Sequence, residues 1–149
     1  MKIQKNTGSS LMLLVLTTLL LLCACSPTAP EKVSPDVMHR AAVLEREGYV
    51  TQYYEKGNAT LSALSEEMAK SVDKDLKGAI TGYLFVQDST GQSVMEVFTF
   101  EKPEDAKLLY NHLKEKDTFV EGESECRIDH TVVYMGYTKD LDKIEGTVN

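Results

Sequence analysis

The chain has 149 residues, with 16 Lys and Arg against 23 Asp and Glu and a formal net charge of −7. This length bounds the answer to one main domain, large enough to bury a core without disulfide staples. The acidic balance, with no Lys or Arg run, argues against nucleic acid or anionic lipid head groups as partners, because both reward basic patches.

Residues 1–25 hold two lysines, Lys2 and Lys5, and no acid. Leu11–Leu22 (LMLLVLTTLLLL) is a continuous apolar block. A basic start followed by such a block is the layout of a secretory signal peptide. A membrane-spanning helix needs about 20 apolar residues; this block is followed too soon by Ser26 and Pro27. A soluble core helix would carry a polar stripe, and this block has none.

The block ends in Leu22-Cys23-Ala24-Cys25. This resembles the lipobox of bacterial lipoprotein precursors, in which an aliphatic residue, a small residue and then cysteine flank the cut. Cys23 at the second position departs mildly from the usual Ala, Ser or Thr. The resemblance implies cleavage before Cys25 and a diacylglyceryl thioether on its sulfur, with palmitate-type acyl chains. Residues 1–24 are then the signal peptide and Cys25 is the lipidation site. The implied partner is the membrane, reached through the lipid on Cys25. The implied location is the exported side of the cell envelope, on the outer face of the cytoplasmic membrane or in the outer membrane. Each buried CH₂ contributes ~0.8 kcal/mol, so a double chain gives a stable anchor.

Without residues 1–24 the chain keeps 14 basic and 23 acidic residues, a net −9. Residues 25–35 then read as a tether. Pro27, Pro30 and Pro35, three of the four prolines, fall in it. Proline-rich stretches stay extended at about 3.1 Å per residue.

A single α+β domain is expected over residues 36–149. Ser34-Pro35-Asp36 is a helix start, with Ser as N-cap and Pro at the first position. Val37, Met38, Ala41, Ala42 and Leu44 give the apolar stripe, and Gly48 the stop. Tyr49–Tyr54 reads as a strand. Asn58 or Thr60 caps a helix carrying Leu61, Leu64, Met68 and Val72. Ala79–Gln87 and Ser93–Phe100 form a hairpin around Gly91. Pro103 opens the cleanest amphipathic helix, with Ala106, Leu109, Tyr110 and Leu113 on one face. Cys126–Asp129 and Thr131–Tyr137 finish the sheet as one or two strands, and Thr138–Glu145 ends the chain as a short helix. After a short leading helix, the order β-α-β-β-α-β resembles the ferredoxin-like plan, which implies an antiparallel sheet with two helices on one face. That plan hosts many unrelated functions.

No reaction is specified. The expectation is no metal, because Cys126, His130, His39 and His112 do not make the paired spacings of a structural site. No cofactor and no catalytic set is expected, since no nucleophile elbow or Ser-x-x-Lys motif occurs. Acid pairs such as Glu66–Glu67 and Glu104–Asp105 suit helix dipoles and polar faces. Tyr49, Tyr53, Tyr54, Tyr83, Tyr134 and Tyr137 fall on strands. They fill an ordinary sheet, or mark a binding face if helices leave one side bare. The expected function is a lipid-anchored envelope lipoprotein with a non-catalytic domain that binds a protein, peptide or small solute. The alternatives are a structural subunit of a membrane assembly or an enzyme of unrecognised type. Cys126 is left without a pairing partner once Cys23 leaves and Cys25 is acylated, and is expected to be a buried, inert thiol.

Overall fold

A computed structural model describes residues 35–116 and 118–145. The signal segment, the lipobox and tether residues 25–34 lie outside the described residues. Among the described residues, four helices and five strands follow in the order α1 (Pro35–Arg46), β1 (Val50–Glu55), α2 (Ala59–Ser71), β2 (Ile80–Gln87), β3 (Ser93–Phe100), α3 (Pro103–Glu115), β4 (Ser124–Asp129), β5 (Val132–Tyr137) and α4 (Thr138–Glu145). None of these helices is long and apolar enough to cross a membrane.

The local signals act as their chemistry requires. Gly48, at φ +91°, ends α1 in a paired cap. Its N–H reaches the Glu45 carbonyl at 3.1 Å and the Tyr49 N–H reaches the Leu44 carbonyl at 3.1 Å. This is the Schellman arrangement that glycine favours. Asn58 caps α2, its side-chain oxygen accepting from the Thr60 N–H at 2.8 Å. Asp88 organises the β2–β3 turn by accepting from the Thr90 N–H, the Thr90 hydroxyl and the Gln92 N–H. The end of the sheet resolves as two strands, joined through His130 and Thr131, with Asp129 paired to Val132. His130 takes φ +50° to make so short a turn.

The sheet is antiparallel throughout, in the order β1-β2-β3-β5-β4. Its second half keeps the split plan: β3 and β4 run parallel with β5 between them. The first half departs from the ferredoxin-like order. That order would hold β1 and β2 apart with a strand between them, whereas here they are direct neighbours over six residue pairs. A 3₁₀ turn at Lys74–Leu76 reverses the chain after α2. The Ser65 hydroxyl pins this return, donating to the Leu76 carbonyl at 3.2 Å and accepting from the Gly78 N–H at 2.8 Å. Strand β2 therefore starts beside the end of β1, where the Lys56 N–H donates to the Thr81 carbonyl at 3.1 Å.

A second correction concerns the layers. Helices cover both faces of the sheet. On one face α1 packs on β1 and α4 on β3 and β5, with α1 against α4. On the other, α2 packs on β1 and β2, and α3 on β3, β4 and β5. Strand side chains alternate between faces. Leu84, Val86, Met95, Val97 and Tyr134 lie under Val37, Ala41, Leu44, Leu141 and Ile144. Tyr83, Phe85, Phe98 and Val133 turn the other way and are buried with Leu61, Leu64, Leu76 and Leu109. Double coverage explains why β2 is buried without interruption from Gly82 to Val86: a strand covered on both sides has no solvent face.

Candidate functional site

With both faces covered, the aromatics have little surface to offer. Tyr83, Phe85, Phe98, Phe100 and Tyr134 are buried. Tyr49, Tyr53, Tyr54 and Tyr137 are half-buried. None of these nine is exposed, so among the described residues they fill the sheet rather than present a bare aromatic face. The features that stand out are polar groups inside these layers, one constellation on each side of the sheet.

On the α2–α3 side the group is Glu96, in the middle of the central strand β3. Its register neighbours are Phe85 on β2 and Met135 on β5. Its carboxylate oxygen Oε2 accepts from the Tyr83 hydroxyl at 2.8 Å. The Tyr83 ring is packed against Phe98 at 5.0 Å, against Phe85 at 6.5 Å, and stacked on Tyr54 at 5.9 Å between centroids. Burial pushes the Glu96 carboxyl above the usual glutamate range, and the Tyr83 hydrogen bond pulls it partly back. The Tyr83 phenol lies well above the usual tyrosine value, through burial first and then the adjacent Glu96.

On the α1–α4 side the groups are Asp140, Tyr49, Lys143 and Glu47. Asp140 is buried in the first turn of α4. The Tyr49 hydroxyl donates to Asp140 Oδ1 at 2.5 Å and accepts from Lys143 Nζ at 2.6 Å. Lys143 also lies over the Tyr49 ring at 4.7 Å and pairs with Glu47 at 3.7 Å. Asp140 Oδ2 is buried with no hydrogen-bond partner. The Tyr49 phenol is raised by burial and by Asp140, and Lys143 opposes that shift. Nearby in the same layer, buried Arg40 donates to the Tyr134 hydroxyl at 2.5 Å and lies over its ring at 5.5 Å.

The structure scatters the residues weighed in the sequence. Cys25 lies outside the described residues. Cys126 is buried at 2% exposure, opposite Met135 on the α2–α3 side, and burial pushes its thiol up to about 12. Arg127 points to the other face and bonds Glu125 and Asp142, so it gives the thiol no support. His130 sits exposed in the β4–β5 turn and His39 exposed on α1. His112 is half-buried on α3, where burial lowers its pKa. Among the described residues no three His, Cys, Asp or Glu side chains gather as a metal set. Glu104 and Asp105 lie in the first turn of α3, as dipole complements.

Sequence reasoning passed over Glu96 and Asp140. A signal for Glu96 was present. It shares strand parity with Phe98, so an acid is set on an aromatic side of a buried strand. Asp140 gave no such signal, because an acid in a helix first turn is ordinary on a solvent face.

Comparison with known proteins returns no match: no family model, no curated protein and no solved structure.

Proposed function

We propose that the chain is the precursor of a lipid-anchored envelope lipoprotein, and that its α+β domain is a binding or interaction module rather than an enzyme. The observation that carries the first part is the sequence Leu22-Cys23-Ala24-Cys25 at the end of an apolar, acid-free, lysine-led segment. Cleavage before Cys25 frees its amine, and the cysteine sulfur is the nucleophile that takes the lipid. Nine residues then separate the anchor from Pro35, where α1 begins. The domain is held by a short leash at the membrane surface on the exported side.

The second part is supported by how the domain uses its polar groups. Glu96 is taken up by Tyr83 and Asp140 by Tyr49, both inside the packed layers. A general acid or base must reach a substrate proton across one hydrogen bond. These carboxyls instead face phenols of their own fold.

Replacing Cys25 by Ser tests the anchor. Labelling with a radioactive fatty acid should disappear, and unprocessed precursor should accumulate in the membrane fraction. Labelling that persists in Cys25→Ser removes the lipobox assignment. For the module, a ligand screen by thermal shift is the matching test, since any true ligand raises stability by mass action.

A further inference from the structure

An open sheet has two edge strands, and each edge presents main-chain N–H and C=O groups to which another strand can add. Here the edges are β1 and β4, and they are finished differently. Strand β4 carries Glu125, Arg127 and Asp129 within its six residues. The loop before it is tied to its first residue: the Ser124 N–H donates to the Val120 carbonyl at 2.9 Å, and the Val120 N–H to the Ser124 hydroxyl at 3.0 Å. Charges and a covering loop are common protection against strand addition. Among the described residues β1 has neither. Val50–Tyr54 contains no charged residue and no proline, and its register to β2 runs through six pairs without a shift.

One bond fixes which groups of β1 face outward. The Lys56 N–H donates to the Thr81 carbonyl at 3.1 Å, and antiparallel ladder bonds fall on alternate residues. Val50, Gln52 and Tyr54 therefore bond toward β2, and Thr51 and Tyr53 turn their N–H and C=O groups outward. The side chains alternate too. Tyr53 packs with the α1–α4 layer, so Thr51 shares that side and Val50 and Gln52 take the other. Val50 is 51% exposed, one of two large apolar side chains so exposed among the described residues. The Thr51 hydroxyl donates to Glu45 Oε1 at 2.5 Å, which sets an exposed acid beside the edge. Lys56, just past the strand, pairs with Glu101 at 3.9 Å. The edge thus has an acidic side and an apolar side, on a chain of net charge −7.

We propose that the β1 edge takes up a strand from a partner protein: an extended segment whose side chains alternate basic and apolar, with its main chain paired to Thr51 and Tyr53. Strand addition draws affinity from the main-chain bonds and selectivity from the alternate side chains. The bases fall on the Glu45 side and the apolar side chains on the Val50 side. This rests on the reading of the domain as a binding module and names its partner class. A second copy of the chain is the poorer occupant. Its own β1 offers no base to set beside Glu45, and it brings a second net charge of −7 to the contact.

The test uses the intact chain in detergent micelles and a blocked synthetic peptide, Lys-Val-Lys-Val-Lys-Val, with amide hydrogen exchange followed by NMR. When the peptide occupies about nine-tenths of the edges, the Thr51 and Tyr53 amides should exchange about tenfold more slowly, because only the free edge exchanges. The amides of β4 should not change. The block-ordered peptide Lys-Lys-Lys-Val-Val-Val has the same charge and composition, and should protect these amides far less. So should the alternating peptide with Glu in place of Lys. Thr51→Pro removes an outward N–H at a place where an edge strand accepts proline, and should abolish the protection. If that variant fails to fold, Gln52→Lys decides: it changes an exposed side chain, sets a like charge against the peptide and should weaken binding several-fold. No protection at roughly 5 mM peptide, beyond the millimolar limit of weak specific binding, overturns the proposal. Equal protection by the block-ordered peptide, or undiminished binding in Gln52→Lys, also overturns it. Protection of Thr51 and Tyr53 that grows with protein concentration in the absence of peptide gives the edge to a second copy instead. A thermal-shift ligand whose protection lies away from β1 keeps the binding module and removes this edge from it.

Discussion

The two sides of the sheet bury polar groups by opposite means. Under α1 and α4, a chain of polar contacts runs from buried Asp140 through Tyr49 to Lys143 and Glu47, with Asp140 Oδ2 left unpartnered. Under α2 and α3, a lone acid meets a lone phenol among rings. The first arrangement ends at an exposed cation, Lys143, at the edge of the layer. In the second, burial raises the Glu96 carboxyl and the Tyr83 hydrogen bond partly offsets that rise. The position of a buried acid within the layers, more than its burial alone, sets what it does to the fold.

The largest expected effect tests the apolar share of the α2–α3 layer. Leu109 is 0% exposed, and Leu109→Ala should cost ~2–5 kcal/mol by leaving a cavity that the helix cannot close. Chemical denaturation measures this directly, and a loss under half a kcal/mol would mean that α3 is not seated as described. Next is Gly136, whose place on β5 brings it against β3. A Cβ there would fall 2.9 Å from Met95 Cα and closer still to the Val94 carbonyl oxygen. Both neighbours are backbone, so Gly136→Ala should cost ~1–3 kcal/mol through forced separation of β3 and β5. A neutral result would show that the two strands part without penalty.

Tyr49→Phe probes the α1–α4 cluster. It strips Asp140 Oδ1 of the Tyr49 hydrogen bond while Oδ2 already lacks a partner. Loss of ~1–3 kcal/mol is expected for a buried acceptor left unmade. Chemical denaturation reads this loss, and an unchanged stability would show that Asp140 does not depend on the Tyr49 hydroxyl. The smallest effect is expected at Cys126. Buried, and with its thiol pushed up to about 12, it should resist maleimide or iodoacetamide until denaturant is added. Rapid stoichiometric labelling of the folded chain would open the α2–α3 layer to solvent.

Much of the local structure was legible because it rests on short-range chemistry. Gly48 after the α1 stripe, Asn58 before α2, Asp88 and Gly91 between β2 and β3, and Pro103 with its following acids are each decided within a few residues. The periodicity of Ala106, Leu109, Tyr110 and Leu113 announced the α3 face, and Ala106 and Leu109 are buried there. The layer plan was harder to read. Nothing in Val72–Ala79 advertises a 3₁₀ return pinned by Ser65, yet that return makes β1 and β2 neighbours and breaks the ferredoxin-like order. The short leading helix carries an apolar stripe like any other, but its sequence does not say which face it covers. By covering one, together with α4, it turned the strand tyrosines from candidate surface into filling.

The sequence by itself placed the main helices and strands to within a residue or two, because caps, turns and periodicity are local and act at the range of hydrogen bonds and one helical turn. It also carries the whole case for the proposed anchor at Cys25, because the observation behind that proposal is the local segment ending in Leu22-Cys23-Ala24-Cys25. Only the tertiary structure decided what Glu96 and Asp140 are. The environment of a carboxyl is set by groups far away in the chain, such as Tyr83 thirteen residues before Glu96 and Tyr49 ninety-one before Asp140. Ionisation responds to that assembled surrounding, and no local pattern encodes it.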